Sequence, residues 1–167
     1  MNVLPGSSDP ALFWRLDDQR YSAAWDSGEG ARKVGGRWSP IGTPVVYAAL
    51  DPATAILEIA VHKGFGVLNG VPHTLTAAEL KVPWSKVHVV QPPDVPNRLW
   101  LYPCAFSSAQ QEFGGRLLGA HDFVALPSAV SRHSWNLVFD ARRAAGKYIL
   151  KYQEGLDLDP RLNPPKS

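Results

Sequence analysis

Residues Gly35–His62 read GGRWSPIGTPVVYAALDPATAILEIAVH, a run of closely spaced signals for local structure. It opens on two glycines, which permit a tight turn, and continues into Val45–Tyr47, whose β-branched and aromatic residues favour a strand. Asp51 is a preferred helix N-cap residue, and Pro52 after it is tolerated at the first helical position. The stretch therefore predicts a turn, a strand and a helix in direct succession, with the helix running from Pro52 to about His62.

Three side chains of this stretch can do chemistry. Arg37 follows the two glycines, so its guanidinium can present a rigid fork of donors to a phosphate. Tyr47 ends the strand, and strand ends are common ligand sites in α/β sheets. Glu58 shares one helix face with Thr54 and His62, because the three are four residues apart. That face is either a solvated stripe or the wall of a cleft, while Arg37 and Tyr47 have ordinary turn and core roles as alternatives.

Three polar residues elsewhere lie in or beside predicted strands. Arg15 falls in the first strand, Ser128 directly follows a short apolar strand, and Asn136 is a polar residue within a third. For the first two, an ordinary role is the alternative to a functional one. Arginine is common on strand surfaces, and a serine hydroxyl after a strand often caps the backbone.

The pattern along the chain predicts one α/β or α+β domain, because short strands alternate with few helices. The 167 residues are about the size of one domain, and 45% are hydrophobic. Residues 1–10 are predicted to be a loose lead and residues 155–167 an extended tail.

A second helix is predicted to run from Ser107 to Leu118 and to end near Gly119. Residues 17–34 read as a loop with about one helical turn, and 91–96 as a loop because three prolines disfavour helix and central strand. Besides Val45–Tyr47, strands are predicted at 11–16, 73–82, 87–90, 123–126, 135–139 and 147–152.

Charge and cysteine content exclude several classes of function. The net charge of +2 is too small for a nucleic-acid footprint. Cys104 is the one cysteine, which rules out an internal disulfide and a cysteine-based zinc site, and the five histidines lack metal-ligand spacing, so no metal is predicted. No stretch approaches the roughly 18 apolar residues of a membrane span, and the first residues do not resemble a secretion signal. The sequence predicts a cytoplasmic protein.

Several separated motifs together resemble the RES domain, a family named for its Arg, Glu and Ser. They are Gly36-Arg37-Trp38, the strand end at Tyr47, Leu57-Glu58 and, far downstream, Pro127-Ser128. The resemblance extends roughly from Phe13 to Tyr152. It implies a single domain with a mixed sheet, similar to the fold of the ADP-ribosyltransferases. The family comprises toxins of bacterial toxin–antitoxin pairs that consume NAD.

The resemblance also implies a role for each candidate residue. Arg37, Tyr47 and Glu58 are the expected catalytic residues, with Glu58 holding the nicotinamide ribose and Tyr47 packing against the nicotinamide. Substrate binding is expected from Arg15 and Arg37 at the diphosphate, from Tyr47, from Ser128 by hydrogen bonding, and from Asn136. For Asn136 the family pattern is incomplete, because the proline that often follows is replaced here by Phe139-Asp140-Ala141.

The implied reaction breaks the nicotinamide–ribose bond of NAD, which is a substrate here rather than a cofactor. Nicotinamide leaves as a neutral molecule and needs no general acid, so one carboxylate can support the oxocarbenium-like ribose. Water, inorganic phosphate and a protein side chain all remain open as acceptors. The protein is therefore expected to be an NAD glycohydrolase or phosphorylase that depletes NAD and arrests growth. An ADP-ribosyltransferase acting on a specific host protein and a catalytically inactive nucleotide- or protein-binding module are the alternatives.

A protein partner is expected as well. The family's toxins are held by an antitoxin that carries a helix-turn-helix DNA-binding region and blocks the active site. Any DNA contact would then come from the antitoxin, in keeping with the low net charge of this chain. A homodimer remains an open alternative.

Overall fold

The computed structural model describes residues 10–68, 70–157 and 159. The predicted lead at 1–10 therefore lies outside the described residues apart from residue 10, and the tail at 155–167 is described only at 155–157 and 159. Within these residues, seven strands form one sheet. They are β1 (Leu12–Asp18), β2 (Val45–Ala49), β3 (His73–Leu80), β4 (His88–Val89), β5 (Val124–Pro127), β6 (Trp135–Asp140) and β7 (Tyr148–Leu156).

The strand order across the sheet is β4-β5-β6-β2-β1-β3-β7. The β4–β5 pair is parallel and the other pairs are antiparallel, so the sheet is mixed. β2 lies at the centre, where five consecutive residues pair with β6. Towards β1 the recorded register of β2 is a single pair, Trp14 opposite Ala49. The two central strands are therefore loosely joined.

Four α-helices accompany the sheet in the described part of the chain. They are α1 (Glu29–Val34), α2 (Pro52–Lys63), α3 (Phe65–Leu68) and α4 (Ser108–Ala120). The cap predicted for α2 is confirmed, since a carboxylate oxygen of Asp51 accepts from the Thr54 N–H at 2.8 Å. The cap predicted for α4 is confirmed in the same way, because Ser107 Oγ accepts from the Gln110 N–H at 3.2 Å.

Apolar side chains cover both faces of the sheet, because successive strand residues point to opposite sides. On one face, Val46 and Ala48 of β2 belong to a cluster with Phe13, Trp135 and other aromatic residues. On the other face, Val45 packs with Trp38 and with residues of α4. Gly114 of α4 permits this contact, since a Cβ there would collide with the backbone of Trp38.

Several predicted boundaries are wrong. Tyr47 does not end its strand, because the small apolar residues after it continue β2 to Ala49. The segment at 17–34 holds a 3₁₀ helix, Gln19–Ala24, as well as α1, so it contains two helical elements where about one turn was predicted. The proline-rich loop at 91–96 contains a 3₁₀ turn at Pro92–Asp94, because proline is compatible with the first positions of a helical turn. β7 extends to Leu156 and not to 152. It is an edge strand with most of its residues exposed, so it lacks the apolar alternation on which the prediction relied.

None of the helices among residues 10–68 and 70–157 is long and apolar enough to span a bilayer.

Candidate active site

A cleft of about 90 Å³ opens between α2 and the strands β1 and β2. Four of its wall residues, Ala55, Glu58, Ile59 and His62, belong to one face of α2, so this face lines a cleft and is not a solvated stripe. Thr54, which the spacing placed on the same face, is buried against Asp51 instead. The lining residues are Trp14, Arg15, Leu16, Tyr47, Ala48, Ala49, Ala55, Glu58, Ile59, His62 and Asn136.

Glu58 is the carboxylate of this cleft, and two side chains hold it. Its Oε1 accepts a hydrogen bond from Ser128 Oγ at 2.8 Å and another from Asn136 Nδ2 at 2.6 Å. Both bonds go to the same oxygen, and no donor among the described residues contacts Oε2. The carboxylate is thus fixed in orientation while one oxygen remains available to a ligand.

Ser128 serves both as a backbone cap and as a partner of Glu58. It follows β5, it is 1% exposed, and its Oγ accepts from the N–H groups of Val130 and Ser131 at 3.2 and 3.1 Å. Since the turn supplies the two donors, the hydroxyl proton of Ser128 is directed at Glu58. The backbone-capping role of this serine is therefore present, together with a bond to Glu58 that was not predicted. Its hydrogen bond to the substrate stays a prediction.

Asn136 carries an acceptor with no partner. It lies in β6 opposite Ala49 of β2, and its amide nitrogen must face Glu58 because a carboxylate only accepts. Its Oδ1 is then buried without a hydrogen-bond partner among the described residues. An unsatisfied buried acceptor costs about 1–3 kcal/mol. A ligand donor in the cleft would remove this cost.

Arg15 spans the join between β1 and β2. Its Nε and Nη2 both donate to the carboxylate of Asp17 at 2.8 Å, and Nη1 donates to the Tyr47 carbonyl at 2.7 Å. The paired forks of Arg15 and Asp17 fix the guanidinium at the edge of the cleft and offset its charge. Two of its five N–H groups remain for a ligand.

Tyr47 of β2 binds the turn at residues 36–39 through its hydroxyl group. Its hydroxyl accepts from the Trp38 N–H at 3.0 Å and lies 2.8 Å from Ser39 Oγ. Burial of the phenol raises the pKa of Tyr47 to about 12. The ring passes so close to Gly36 that a Cβ there would lie 2.5 Å from the hydroxyl oxygen. Glycine at this position is therefore required by a side-chain contact.

Arg37 is held by a different part of the chain. Its Nη1 donates to the carbonyls of Trp100 and Tyr102 at 3.2 and 3.3 Å, and Nη2 donates to the carbonyl of Cys104 at 3.2 Å. It does not line the cleft. Four of the predicted site residues therefore line the cleft together: Arg15, Tyr47, Glu58 and Asn136. Ser128 does not line the cleft but donates a hydrogen bond to Glu58. Arg37 lies against the 100–104 segment.

Two residues of the site were not singled out from the sequence. Trp14 contributes an aromatic wall and Asp17 orients Arg15. Asp17 lies two positions after Arg15 in the same strand, and opposite charges at this spacing share a strand face, which is a signal that could have identified the pair. For Trp14 the sequence holds no comparable signal, because a tryptophan in a strand is usually a core residue.

Comparisons with known proteins agree with this architecture. The family model of the RES domain matches residues 12–159. The chain is 31% identical over 158 residues to a protein of Pseudomonas putida (strain KT2440) named Toxin Res, covering 90% of this chain and 99% of that relative. It is 29% identical over 132 residues to a Toxin Res of Photorhabdus laumondii, covering 77% and 81% of the two chains.

A shorter match joins the chain to a protein of Sphingobium sp. (strain YBL2) named Prs ADP-ribosylating toxin. The two are 42% identical over 73 residues, and the match covers 42% of this chain and 44% of that relative, so less than half of its length is represented.

A solved structure has the same fold. It is the crystal structure of the M. tuberculosis MbcT–MbcA toxin–antitoxin complex, with a TM-score of 0.70 and 20% identity over 88% of this chain and 84% of that one. The predicted mixed α/β fold is thereby confirmed. With a family model that spans nearly the whole described sheet and a relative aligned over almost its full length, the chain belongs to the RES domain family.

Proposed function

We propose that this protein is the toxin of a toxin–antitoxin pair and that it breaks the nicotinamide–ribose bond of NAD. One observation carries the proposal: a carboxylate, Glu58, is held in a cleft with one oxygen bonded to Ser128 and Asn136 and the other available. Relatives named as toxins, one of them named for ADP-ribosylation, support the same chemistry.

The chemistry of NAD suits a single carboxylate. Nicotinamide is attached to the ribose as a cationic pyridinium, so it departs as a neutral molecule without a proton donor. Positive charge then develops on the ribose ring. Glu58 would stabilise that charge electrostatically, an effect that typically contributes a factor of about 10²–10³ to the rate. Its fixed orientation means that little rearrangement is needed during the reaction.

The charge and size of the cleft fit the nicotinamide end of the substrate. Arg15 and Asp17 neutralise each other, so Glu58 leaves the cleft with a net negative charge that complements the pyridinium. The rings of Trp14 and Tyr47 offer flat apolar surface for the base. At about 90 Å³ the cleft is much smaller than the pockets that enclose whole ligands, so the rest of the dinucleotide would lie outside it.

The remaining candidate residues have distinct proposed roles. Asn136 Oδ1 would accept from a hydroxyl or amide N–H of the substrate, since it is otherwise unpaired. Ser128 would act as a positioning residue for Glu58. Arg15 would use its two unoccupied N–H groups on the substrate, and Arg37 would supply positive charge to the diphosphate from the neighbouring 100–104 segment.

The acceptor distinguishes three enzyme classes. Water would make the protein a glycohydrolase, inorganic phosphate a phosphorylase, and a protein side chain an ADP-ribosyltransferase. The name of the Sphingobium relative favours the transferase as the second candidate. We further propose an antitoxin partner, which the solved toxin–antitoxin neighbour supports. That the antitoxin carries a helix-turn-helix region and covers the cleft is an expectation from the family resemblance. Neither a cofactor nor a metal is needed for these steps.

Product analysis of NAD incubated with partner-free protein tests the proposal. Nicotinamide release is expected, with ADP-ribose appearing in phosphate-free buffer if water is the acceptor and its phosphorylated form appearing with phosphate. Label from NAD appearing on an added protein would identify a transferase. Absence of nicotinamide under all of these conditions would instead leave a nucleotide- or protein-binding module.

A further inference from the structure

A second pocket, which we call the basic pocket, adjoins the cleft through Ser128. Its volume is about 220 Å³. Ser128 lines the basic pocket and donates its hydrogen bond to Glu58, which lines the cleft, so one hydrogen bond joins the walls of the two pockets. The lining residues are Pro92, Arg98, Leu101, Tyr102, Pro127, Ser128, Arg132 and His133.

The basic pocket contains cations without carboxylate partners. Arg98 and Arg132 form no ion pair among the described residues, and none of the lining residues is acidic. Arg132 lies over the Tyr102 ring, 5.0 Å from its centre, which orients the guanidinium without neutralising it. Arg37 adds a further positive charge nearby, because it donates to the Tyr102 carbonyl.

The cleft and the basic pocket therefore carry opposite charges. The cleft is net negative through Glu58, whereas Arg98 and Arg132 make the basic pocket positive. NAD has the matching polarity, with a cationic pyridinium at one end and a dianionic diphosphate beyond the ribose. Arg15 is a poorer diphosphate ligand than either free arginine, since its charge is already offset by Asp17.

The spacing across the sheet also suits a dinucleotide. Four paired residues form a row across the sheet near Ser128. From β5 to β1 they are Leu126, Asn136, Ala49 and Trp14. Neighbouring strands are about 4.8 Å apart, so the β5 end and the β1 end of this row are separated by about 14 Å. Glu58 lies between them, where the ribose would be.

We propose that the basic pocket is the diphosphate subsite, in which Arg98 and Arg132 bind the phosphate oxygens while the nicotinamide ribose lies against Glu58. The inference rests on the proposed function, and it assigns to these two arginines the main contact that the family resemblance gives to Arg15 and Arg37. None of Arg98, Arg132 and His133 was identified from the sequence. They are spaced over more than thirty residues, and exposed cations are ordinary on protein surfaces.

Calorimetric titration with two fragments of the substrate tests the proposal. ADP-ribose keeps the diphosphate and nicotinamide lacks it, so the two ligands separate the basic pocket from the cleft. Arg98→Gln and Arg132→Gln are each expected to weaken ADP-ribose binding about tenfold, since each removes a charge-assisted hydrogen bond. Nicotinamide binding should be unchanged. Both arginines are exposed, so the variants are expected to fold, which their melting temperatures check.

Arg143→Gln is the matched control, because it removes the same charge from an exposed arginine that contacts Asp122 and lies outside both pockets. It should leave both affinities unchanged. Arg132→Lys keeps the charge but loses the fork and should fall between wild type and Arg132→Gln. Raising the salt concentration should weaken ADP-ribose binding to wild type more than to the Arg98→Gln/Arg132→Gln double variant.

Unchanged ADP-ribose affinity in the double variant of a protein that cleaves NAD would overturn the basic-pocket proposal and leave the proposed function standing. A wild-type protein that neither cleaves NAD nor binds ADP-ribose would overturn both.

Discussion

Glu58 is the side chain on which three separate parts of the chain converge. α2 carries it, the turn after β5 supplies the Ser128 hydroxyl, and β6 supplies the Asn136 amide. Because both donors bond to Oε1, they determine where Oε2 points, and this oxygen is the one that would face the ribose. At the scale of single residues, the activity should therefore depend on the donors as well as on the carboxylate.

Replacing Ser128 by alanine should lower kcat about tenfold and leave KM nearly unchanged. The carboxylate would remain but lose one of its two orienting bonds, which affects the transition state more than ground-state binding. Steady-state kinetics of nicotinamide release measure both constants. Ser131→Ala is the control, because it removes a hydroxyl of the same turn that bonds to Ser134 and not to Glu58. Equal loss in both variants would mean that Ser128 only stabilises the turn.

Gly36→Ala should destabilise the fold by about 1–3 kcal/mol, because the added Cβ collides with the Tyr47 ring and the surrounding turn must move. Thermal or denaturant unfolding measures the change. Gly30→Ala in α1 provides a comparison, since a Cβ there meets no atom within 4 Å and alanine favours the helix. Equal stability of the two variants would contradict the close packing of the Tyr47 ring against Gly36.

The buried phenol of Tyr47 predicts a loss of stability at high pH. Its pKa is raised to about 12 in the folded protein, whereas an unfolded tyrosine titrates near 10. The unfolded state therefore loses its proton first, so this contribution is complete below about pH 10 and is lost as pH rises towards 12. Urea unfolding between pH 9 and pH 11 should show a smaller pH dependence in Tyr47→Phe than in wild type. Identical slopes would contradict this explanation.

At the scale of secondary structure, the cleft has two causes. The recorded pairing of β1 with β2 is a single residue pair, and the N-terminus of α2 is held beside these strands by its cap. Between β1 and β2, the Arg15 guanidinium donates a hydrogen bond to the Tyr47 carbonyl. The Asp51 cap fixes the residue at which α2 begins. Glu58 lies in the second turn of that helix. Its position therefore depends on a cap that makes no contact with the substrate.

Asp51→Ala should cost about 1 kcal/mol of stability and also lower the rate of nicotinamide release. The matched variant is Ser107→Ala, which removes the equivalent cap from α4 and should cost a similar amount of stability with normal activity. Unfolding and activity measured together separate the two effects. Full activity in Asp51→Ala would show that Glu58 is positioned by its side-chain partners alone.

The turn, strand and helix of 35–62 could be predicted because their signals are local: paired glycines, β-branched residues and an Asp-Pro start. The convergence on Glu58 could not be predicted from spacing, because Ser128 and Asn136 are 70 and 78 positions away in the chain. Family resemblance named most of these residues without supplying the contact. The 3₁₀ helices and the exposed strand β7 were missed or shortened because they lack apolar periodicity.

At the scale of the whole molecule, the net charge of +2 conceals a division between two pockets. The cleft is negative and the basic pocket is positive, although the whole chain is nearly neutral. This explains how a protein with little net charge can present both signs to a substrate that itself carries both. A partner that inhibits the protein would have to cover Glu58, the basic pocket, or both.

If the Glu58 carboxylate, held in the cleft, supports the departure of nicotinamide from NAD, the reaction should depend on the charge of this side chain. The most direct measurement is the rate of nicotinamide release at saturating NAD by wild type, Glu58→Gln and Glu112→Gln. Glu58→Gln preserves the shape of the side chain and removes its charge, and Glu112 is an exposed glutamate on α4. The rate should fall by about 10²–10³-fold in Glu58→Gln and stay at the wild-type value in Glu112→Gln. A folded Glu58→Gln protein that releases nicotinamide at the wild-type rate would show that the Glu58 carboxylate does not support this step.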